Sequence, residues 1–143
     1  MTQKNLKDII LENKTYYESI GRVWSPILNS YIHFTSEGRI HLTHKSNRGK
    51  RTVKEQYYKL RLFPLVIPAL KNSTNIQAWR FQGDESNPHN VQHYAITCIV
   101  GRKNPINLRV IIKRTGDGQF NYHSVMEHKS NNKTTKKPRN KRG

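Results

Sequence analysis

The segment 106–114, INLRVIIKR, constrains the fold more than any other part of this chain. Its apolar residues at every second position share one face of an extended strand: Ile106, Leu108, Val110 and Ile112. The opposite face carries Arg109 and Lys113, because side chains alternate across a strand with a period of two. The pattern predicts a half-buried strand that presents cations on its open side.

Three other segments also have the composition of strands: 76–82 (IQAWRFQ), 91–100 (VQHYAITCIV) and 119–128 (QFNYHSVMEH). The last of them follows segment 106–114 through TGDG, a sequence typical of a tight turn. Together the four segments predict an antiparallel meander in the second half of the chain.

The first half contains helical patterns. Apolar residues recur at intervals of three, four or seven over residues 5–20, which predicts an amphipathic helix that ends at Gly21. Thr52 and Glu55 form a capping box, so a second helix should begin near Val53, and the prolines that follow should kink or end it. Between the helices, YIHFT and RIHLT on either side of SEGR suggest a hairpin or two short extended pieces.

These elements predict an α+β domain over residues 1–128, in which N-terminal helical elements pack on one face of a twisted antiparallel sheet of about four strands. The other face of the sheet should be basic. Residues 129–143 have seven cations, no acids and no aliphatic side chains, so we expect a disordered Lys/Arg-rich tail there.

The charge of the chain limits its partners. It has 26 Lys and Arg against 9 Asp and Glu, a formal net charge of +17, of which +10 remains without the seven cations of the tail. A nucleic acid explains such a charge better than solubility alone or an anionic membrane, since no Lys-rich amphipathic helix is evident. The first ten residues lack the apolar run of a signal peptide, which favours a cytoplasmic protein.

Imidazoles and cations are densest in segment 38–51, GRIHLTHKSNRGKR, just before the capped helix. Its basic residues are Arg39, His41, His44, Lys45, Arg48, Lys50 and Arg51. Because the N-terminus of a helix adds free backbone donors and a positive dipole end, this segment is a candidate phosphate site even without catalysis.

Histidines beside cations also suit RNA cleavage by the 2'-hydroxyl, which requires a base, an acid and positive charge for the phosphorane. Metal-dependent hydrolysis of DNA instead requires clustered carboxylates, and only Asp84 and Glu85 are adjacent among the nine acids. His41 and His44 as zinc ligands would lack a convincing third and fourth ligand. We therefore expect neither a metal nor another cofactor.

The last predicted strand adds further candidates. His123 and Ser124 would reach the scissile phosphate if this strand faces the basic segment, and Tyr122 would stack on a base. Arg109 and Lys113 lie on the open side of the strand before it. The remaining histidines are expected to be ordinary surface or hydrogen-bonded side chains.

The order of these elements resembles the barnase, EndoU, colicin and RelE-like (BECR) group of metal-independent ribonucleases, in its phage and polymorphic-toxin branches, over residues 30–128. The resemblance rests on RIHLTHKSNRGKR, the proline-rich helix YYKLRLFPLVIPAL, the strand LRVIIKR and the final YHSVM. It implies catalytic or phosphate-contacting roles at His41 or His44, at Arg48 or Arg51, at Arg109 or Lys113, and at Ser124. The chain departs from the group by having HS where many relatives have Thr followed by an aromatic residue, and by its tail.

Two functions follow from these expectations. The first is a metal-independent endoribonuclease that cleaves RNA by transesterification, as a toxin or a phage or mobile-element effector with a cognate inhibitor protein. The second is a non-catalytic RNA- or DNA-binding module, in which the cations hold backbone phosphates. A pocket that unites His41 or His44 with Arg109 and Ser124 would favour the enzyme.

Overall fold

A computed structural model describes residues 5–45, 49–73, 75–80, 91–101 and 103–128. The fold is α+β, as predicted. The helices in these ranges are α1 (Leu6–Ile20), α2 (Ser36–Ile40), α3 (Val53–Leu62) and α4 (Val66–Asn72), with a short 3-10 turn at Phe63–Leu65 between the last two. The strands are β1 (Arg22–Ser25), β2 (Ser30–His33), β3 (Asn75–Arg80), β4 (Val91–Val100), β5 (Ile106–Thr115) and β6 (Phe120–Glu127).

The strands form one sheet in the order β1-β2-β6-β5-β4-β3. The predicted antiparallel meander is confirmed as β3 to β6. The expected number of about four strands is wrong, because the sheet described has six. Its fully antiparallel character is also wrong, since the hairpin of β1 and β2 joins the meander through a parallel pairing of β2 with β6.

The predicted helix boundaries follow from local chemistry. Asn5 caps α1 by accepting a hydrogen bond from the Asp8 amide at 2.9 Å, and Gly21 ends the helix with φ of 70°. The capping box of Thr52 and Glu55 begins α3. At Pro64 the chain tightens into the 3-10 turn, because proline removes a backbone donor, and helical structure then resumes in α4.

Segment 36–40, SEGRI, forms helix α2, so the interpretation of SEGR as a turn and of RIHLT as an extended piece is wrong. The alternation of apolar and polar residues in RIHLT spans only five residues, and tertiary packing overrides so short a pattern. Leu42, in the turn after α2, is 2% exposed, which explains why the segment carries apolar residues without being a strand.

Helices α3 and α4 pack on one face of the sheet, against a core that includes Leu108, Val110 and Ile112 of β5. An aromatic cluster completes this core and contains Tyr17, Phe34, Phe63 and Tyr122. In the ranges that the structure describes, no helix is long and apolar enough to cross a membrane. The predicted tail 129–143 lies outside those ranges.

Candidate functional site

The open face of the sheet is defined by the strand register. On β5 the residues between the core positions are Arg109, Ile111 and Lys113. Lys113 pairs with His93 of β4 on one side and with Asn121 of β6 on the other. Paired residues in a sheet project from the same face, so these three side chains form a row across its centre.

A bulge in β6 adds His123 to this row. Ser124 pairs with Ile111 and Tyr122 pairs with Ile112, which leaves His123 as an extra residue without a pairing position on β5. Because of this insertion Tyr122 and Val125 both face the core, at 1% and 0% exposure. The bulge therefore turns the imidazole of His123 towards the open face.

Helix α2 brings two further groups to the same place. Glu37 and His41 are four residues apart and lie on one side of the short helix. The helix packs closely on β6 at Gly38, where a Cβ atom would come within 2.5 Å of the backbone oxygen of Tyr122. Only glycine allows this approach, which positions Glu37 and His41 beside the bulge.

The resulting group of side chains, called here the histidine cluster, consists of Glu37, His41, His93, Lys113 and His123. The ring centroids of His41 and His123 are 4.2 Å apart, and those of His93 and His123 are 5.5 Å apart. The Lys113 ammonium donates a hydrogen bond to the Glu37 carboxylate at 3.1 Å. The cluster unites elements from α2, β4, β5 and β6.

Burial and charge tune the protonation of the cluster. Burial lowers the pKa of His123 to about 4, and the neighbouring imidazoles of His41 and His93 and the ammonium of Lys113 act in the same direction. Burial also lowers the pKa of His41 and of His93. The hydrogen bond from Lys113 holds the pKa of Glu37 below its usual value. At neutral pH the cluster thus combines neutral imidazoles with an ionised carboxylate and an ammonium group.

Arg51 holds the segment that follows α2. Its Nε donates to the backbone oxygen of His41 at 2.9 Å, and its amide donates to the backbone oxygen of Thr43 at 2.8 Å. The buried Gln56 in turn donates to the backbone oxygen of Arg51 at 2.8 Å. The positive charge of Arg51 contributes to the lowered pKa of His41, which puts the guanidinium within electrostatic range of the cluster.

Helix α3 packs against the part of β6 that extends beyond its pairing with β2. Lys59 is 9% exposed and its ammonium donates to the backbone oxygen of Val125 at 2.5 Å. Burial and the charge of Arg51 lower the pKa of Lys59 to about 8. The Tyr58 hydroxyl accepts a hydrogen bond from the Glu127 amide at 3.0 Å. These contacts satisfy backbone groups of β6 beyond its pairing with β2 and support the strand that carries His123.

The predicted residues divide into those at the open face and those in the basic loop. Ser124 adjoins His123 and shares the open face through its pairing with Ile111. Arg109 lies on the same face, four residues or about 13 Å along β5 from Lys113. In the loop, His44 pairs with Lys50 in an isolated bridge and its Nδ1 lies 2.9 Å from the Thr43 hydroxyl.

Other predicted positions lie elsewhere. Lys45 and Lys50 are exposed in the loop, and Arg48 lies outside the described residues. Tyr122 is 1% exposed and stacks on Phe34 with ring centroids 5.1 Å apart, so its predicted stacking on a base is not supported. The N-terminus of α3 is expected from the sequence to offer backbone donors to a phosphate. One of them, the Thr52 amide, instead donates to the Glu55 carboxylate at 3.1 Å.

Sequence reasoning misses two members of the cluster. Glu37 stands among scattered acids in the sequence, although its spacing of four from His41 would place both on one side of a helix. His93 is expected from the sequence to be an ordinary side chain. Its partner Lys113 becomes evident only with the register of β4 and β5, which periodicity alone does not determine.

The cluster also has the donor set of a metal site. The candidate ligand atoms of Glu37, His41 and His123 lie within 4.8 Å of one another. Two imidazole nitrogens and a carboxylate oxygen are a combination that binds Zn²⁺ in proteins. The ion pair of Glu37 with Lys113 competes with Zn²⁺ for the carboxylate. The imidazoles of His41 and His123 can instead exchange protons with a bound phosphate ester.

Comparisons with protein-family models, with curated proteins and with solved structures find no match to this chain.

Proposed function

We propose that this protein is an endoribonuclease that cleaves RNA by transesterification at the 2'-hydroxyl without a metal ion. The observation that carries the proposal is the contact of His41 with His123, 4.2 Å between ring centroids, beside the ion pair of Glu37 and Lys113. These groups supply two proton-transfer imidazoles and a cation on one open face, which is what the reaction requires.

The different environments of the two imidazoles assign their roles. His123, with its pKa lowered to about 4, is neutral at pH 7 and takes the proton from the 2'-hydroxyl. His41 is less buried than His123, and the negative charge of Glu37 acts to raise its pKa. His41 is therefore protonated more readily than His123 and donates a proton to the leaving 5'-oxygen. The P–O2' bond forms as the P–O5' bond breaks, which yields a 2',3'-cyclic phosphate and a 5'-hydroxyl.

Cations around the cluster stabilise the phosphorane. Lys113 lies in the row of side chains beside His123, and Arg51 approaches from the segment after α2. Arg109 extends the positive face towards the other end of β5 and suits a neighbouring phosphate of the substrate. Ser124, next to His123, offers a hydroxyl hydrogen bond to the same phosphate group.

Membership of the BECR group is part of this proposal. Helices that precede an antiparallel meander, with polar groups on the open face of the sheet, support it. A role as a toxin or as a phage or mobile-element effector, with a cognate inhibitor, is the corresponding biological proposal, and the high net charge of +17 fits an RNA substrate.

The test is cleavage of labelled single-stranded RNA in excess EDTA. His41→Ala and His123→Ala should each slow cleavage by about 100-fold or more, the contribution typical of a positioned acid or base. His44→Ala is the matched control: it removes an imidazole from the loop, three residues from His41, and should leave the rate within about threefold. Normal cleavage by both cluster variants, or cleavage only with added Mg²⁺, would contradict the proposal.

A non-catalytic RNA-binding module is the second candidate. It is favoured by exposed cations that are not members of the histidine cluster, such as Lys45 and Lys50. In that case RNA stays intact in the assay, its affinity falls steeply as salt rises, and His41→Ala binds as the wild type does.

A further inference from the structure

The hairpin of β1 and β2 carries two exposed aromatic residues. Trp24 and Tyr31 are directly opposite each other and are 44% and 42% exposed. Their ring centroids are 5.1 Å apart in an edge-to-face arrangement. A pair of large rings that is left half in water is more typical of a binding surface than of a core.

The pair projects from the open face of the sheet. Val23 and Ile32, which alternate with Trp24 and Tyr31 along the two strands, are buried in the core at 6% and 0% exposure. Since successive side chains of a strand point to opposite faces, the aromatic pair lies on the face away from the helices. That is the face of the histidine cluster.

The strand register connects the two places. His33 of β2 pairs with Asn121 of β6, and Asn121 pairs with Lys113 of β5. His33 is therefore two strand spacings of ~4.8 Å from Lys113 across the sheet. Tyr31 is displaced from His33 by two residues of ~3.3 Å along β2. A short stretch of single strand is long enough to touch both.

The surroundings of the aromatic pair are cationic and polar. The Arg22 guanidinium lies over the Tyr31 ring, 4.0 Å from its centroid, and the Arg114 guanidinium lies 4.6 Å from the centroid of Phe120. A groove of about 370 Å³ is lined by both members of the aromatic pair and by Arg114 and Phe120. The described residues that line it include no acid and offer polar groups from Asn29, Ser30, His33 and Gln119.

We propose that this groove binds unpaired bases of single-stranded RNA, while the adjoining phosphate lies at the histidine cluster. The proposal rests on the proposed ribonuclease and adds to it a preference for unpaired RNA. Bases stack on aromatic rings and on arginine guanidinium planes, and the amides and hydroxyl hydrogen-bond to base edges. The groove suits an RNA better than a protein partner because its described lining has one cation, Arg114, and no carboxylate, and because the Arg22 guanidinium lies over the Tyr31 ring.

The experiment measures binding of 2'-O-methyl RNA, which lacks the nucleophile and stays intact, by fluorescence anisotropy. Trp24→Ala and Tyr31→Ala should each weaken binding of a single-stranded hexamer roughly 10-fold, within the range of one stacked base, and leave a duplex of equal charge unchanged. Trp24→Phe keeps an aromatic face and should retain most of the affinity. Tyr57→Ala, which removes a ring from α3 instead, is the matched control and should bind as the wild type does.

Three results would overturn the inference, and a fourth would overturn only the proposed function. Unchanged binding of the hexamer would exclude base stacking in the groove, and an equal loss for hexamer and duplex would indicate contact with phosphate alone. A change in self-association without a change in RNA affinity would assign the aromatic pair to a protein interface. Loss of hexamer affinity in a protein that never cleaves RNA would keep the groove and refute the ribonuclease.

Discussion

Substitution of Gly38 by alanine should separate α2 from β6. The added Cβ would meet the backbone oxygen of Tyr122 at 2.5 Å, the Tyr122 ring at 2.6 Å and the Tyr17 hydroxyl at 2.6 Å. None of these atoms is the end of a flexible surface side chain. Tyr122 and Tyr17 are 1% and 2% exposed, and the Tyr17 hydroxyl is already bonded to the backbone oxygen of Thr35 at 2.6 Å. The helix itself must therefore move.

The cost is that of overpacking a core, about 1–3 kcal/mol of the free energy of unfolding. For a domain of this length that corresponds to a fall of the melting temperature by roughly 3–10 °C. The effect on the proposed cleavage should be larger, since misplacement of a catalytic group by about 1 Å costs on the order of 100-fold. Glu37 and His41 would both be displaced, because they lie on the same helix as Gly38 or at its end.

Gly21→Ala provides the matched control. Gly21 has φ of 70° and open space where the methyl group of alanine would stand, so alanine there strains the backbone by about 1–3 kcal/mol without touching α2. Thermal unfolding and RNA cleavage would be measured for both variants at a temperature where each is folded. We expect similar losses of stability but a loss of cleavage in Gly38→Ala alone. A Gly38→Ala protein with wild-type stability would refute the close contact of α2 with β6.

Three further predictions concern the histidine cluster. The pH profile of kcat/KM should be bell-shaped with an acidic optimum. The rate should fall below the pKa of about 4 of His123, the base, and above the lowered pKa of His41, the acid. A flat profile would argue against these roles of His123 and His41. Between the ordinary histidine pKa of 6.5 and the pKa of about 4 in the folded protein, the unfolded chain binds more protons than the native state at His123. Stability measured by urea unfolding should therefore fall as pH falls through this window, by on the order of 2–3 kcal/mol, and His123→Gln should flatten this dependence. Zn²⁺ should bind to Glu37, His41 and His123 and inhibit cleavage, whereas EDTA should not; calorimetry that finds equal Zn²⁺ affinity in His41→Ala would exclude this site.

The sequence predicted the parts of the fold that depend on local chemistry. The amphipathic helix ending at Gly21, the capping box at Thr52 and the meander with its TGDG turn are all present, because caps, turns and periodicity act over a few residues. It did not predict the parallel contact of β2 with β6 or the helix at SEGR. These depend on packing between segments that are far apart in the chain.

The residue types of the site could be predicted from the sequence, but their arrangement could not. His41, Lys113, His123 and Ser124 are chemically suitable residue types that the sequence alone indicates, and the structure places them on or beside one face. Their mutual geometry depends on a one-residue bulge at His123, which no local pattern indicates. The partners that complete the cluster, Glu37 and His93, come from elements whose placement required the tertiary fold.

In the proposed ribonuclease, the positive charge of Lys113 couples the binding of RNA to the protonation of His41. Burial is the main cause that lowers the pKa of His123 and of His41, and the charge of Lys113 adds to it at both, so the free site holds neutral imidazoles at pH 7. An RNA phosphate bound at Lys113 offsets the contribution of this charge and so raises the pKa of both imidazoles. Binding of substrate and uptake of the acid's proton are therefore coupled, and the general acid forms at His41 chiefly when RNA is present.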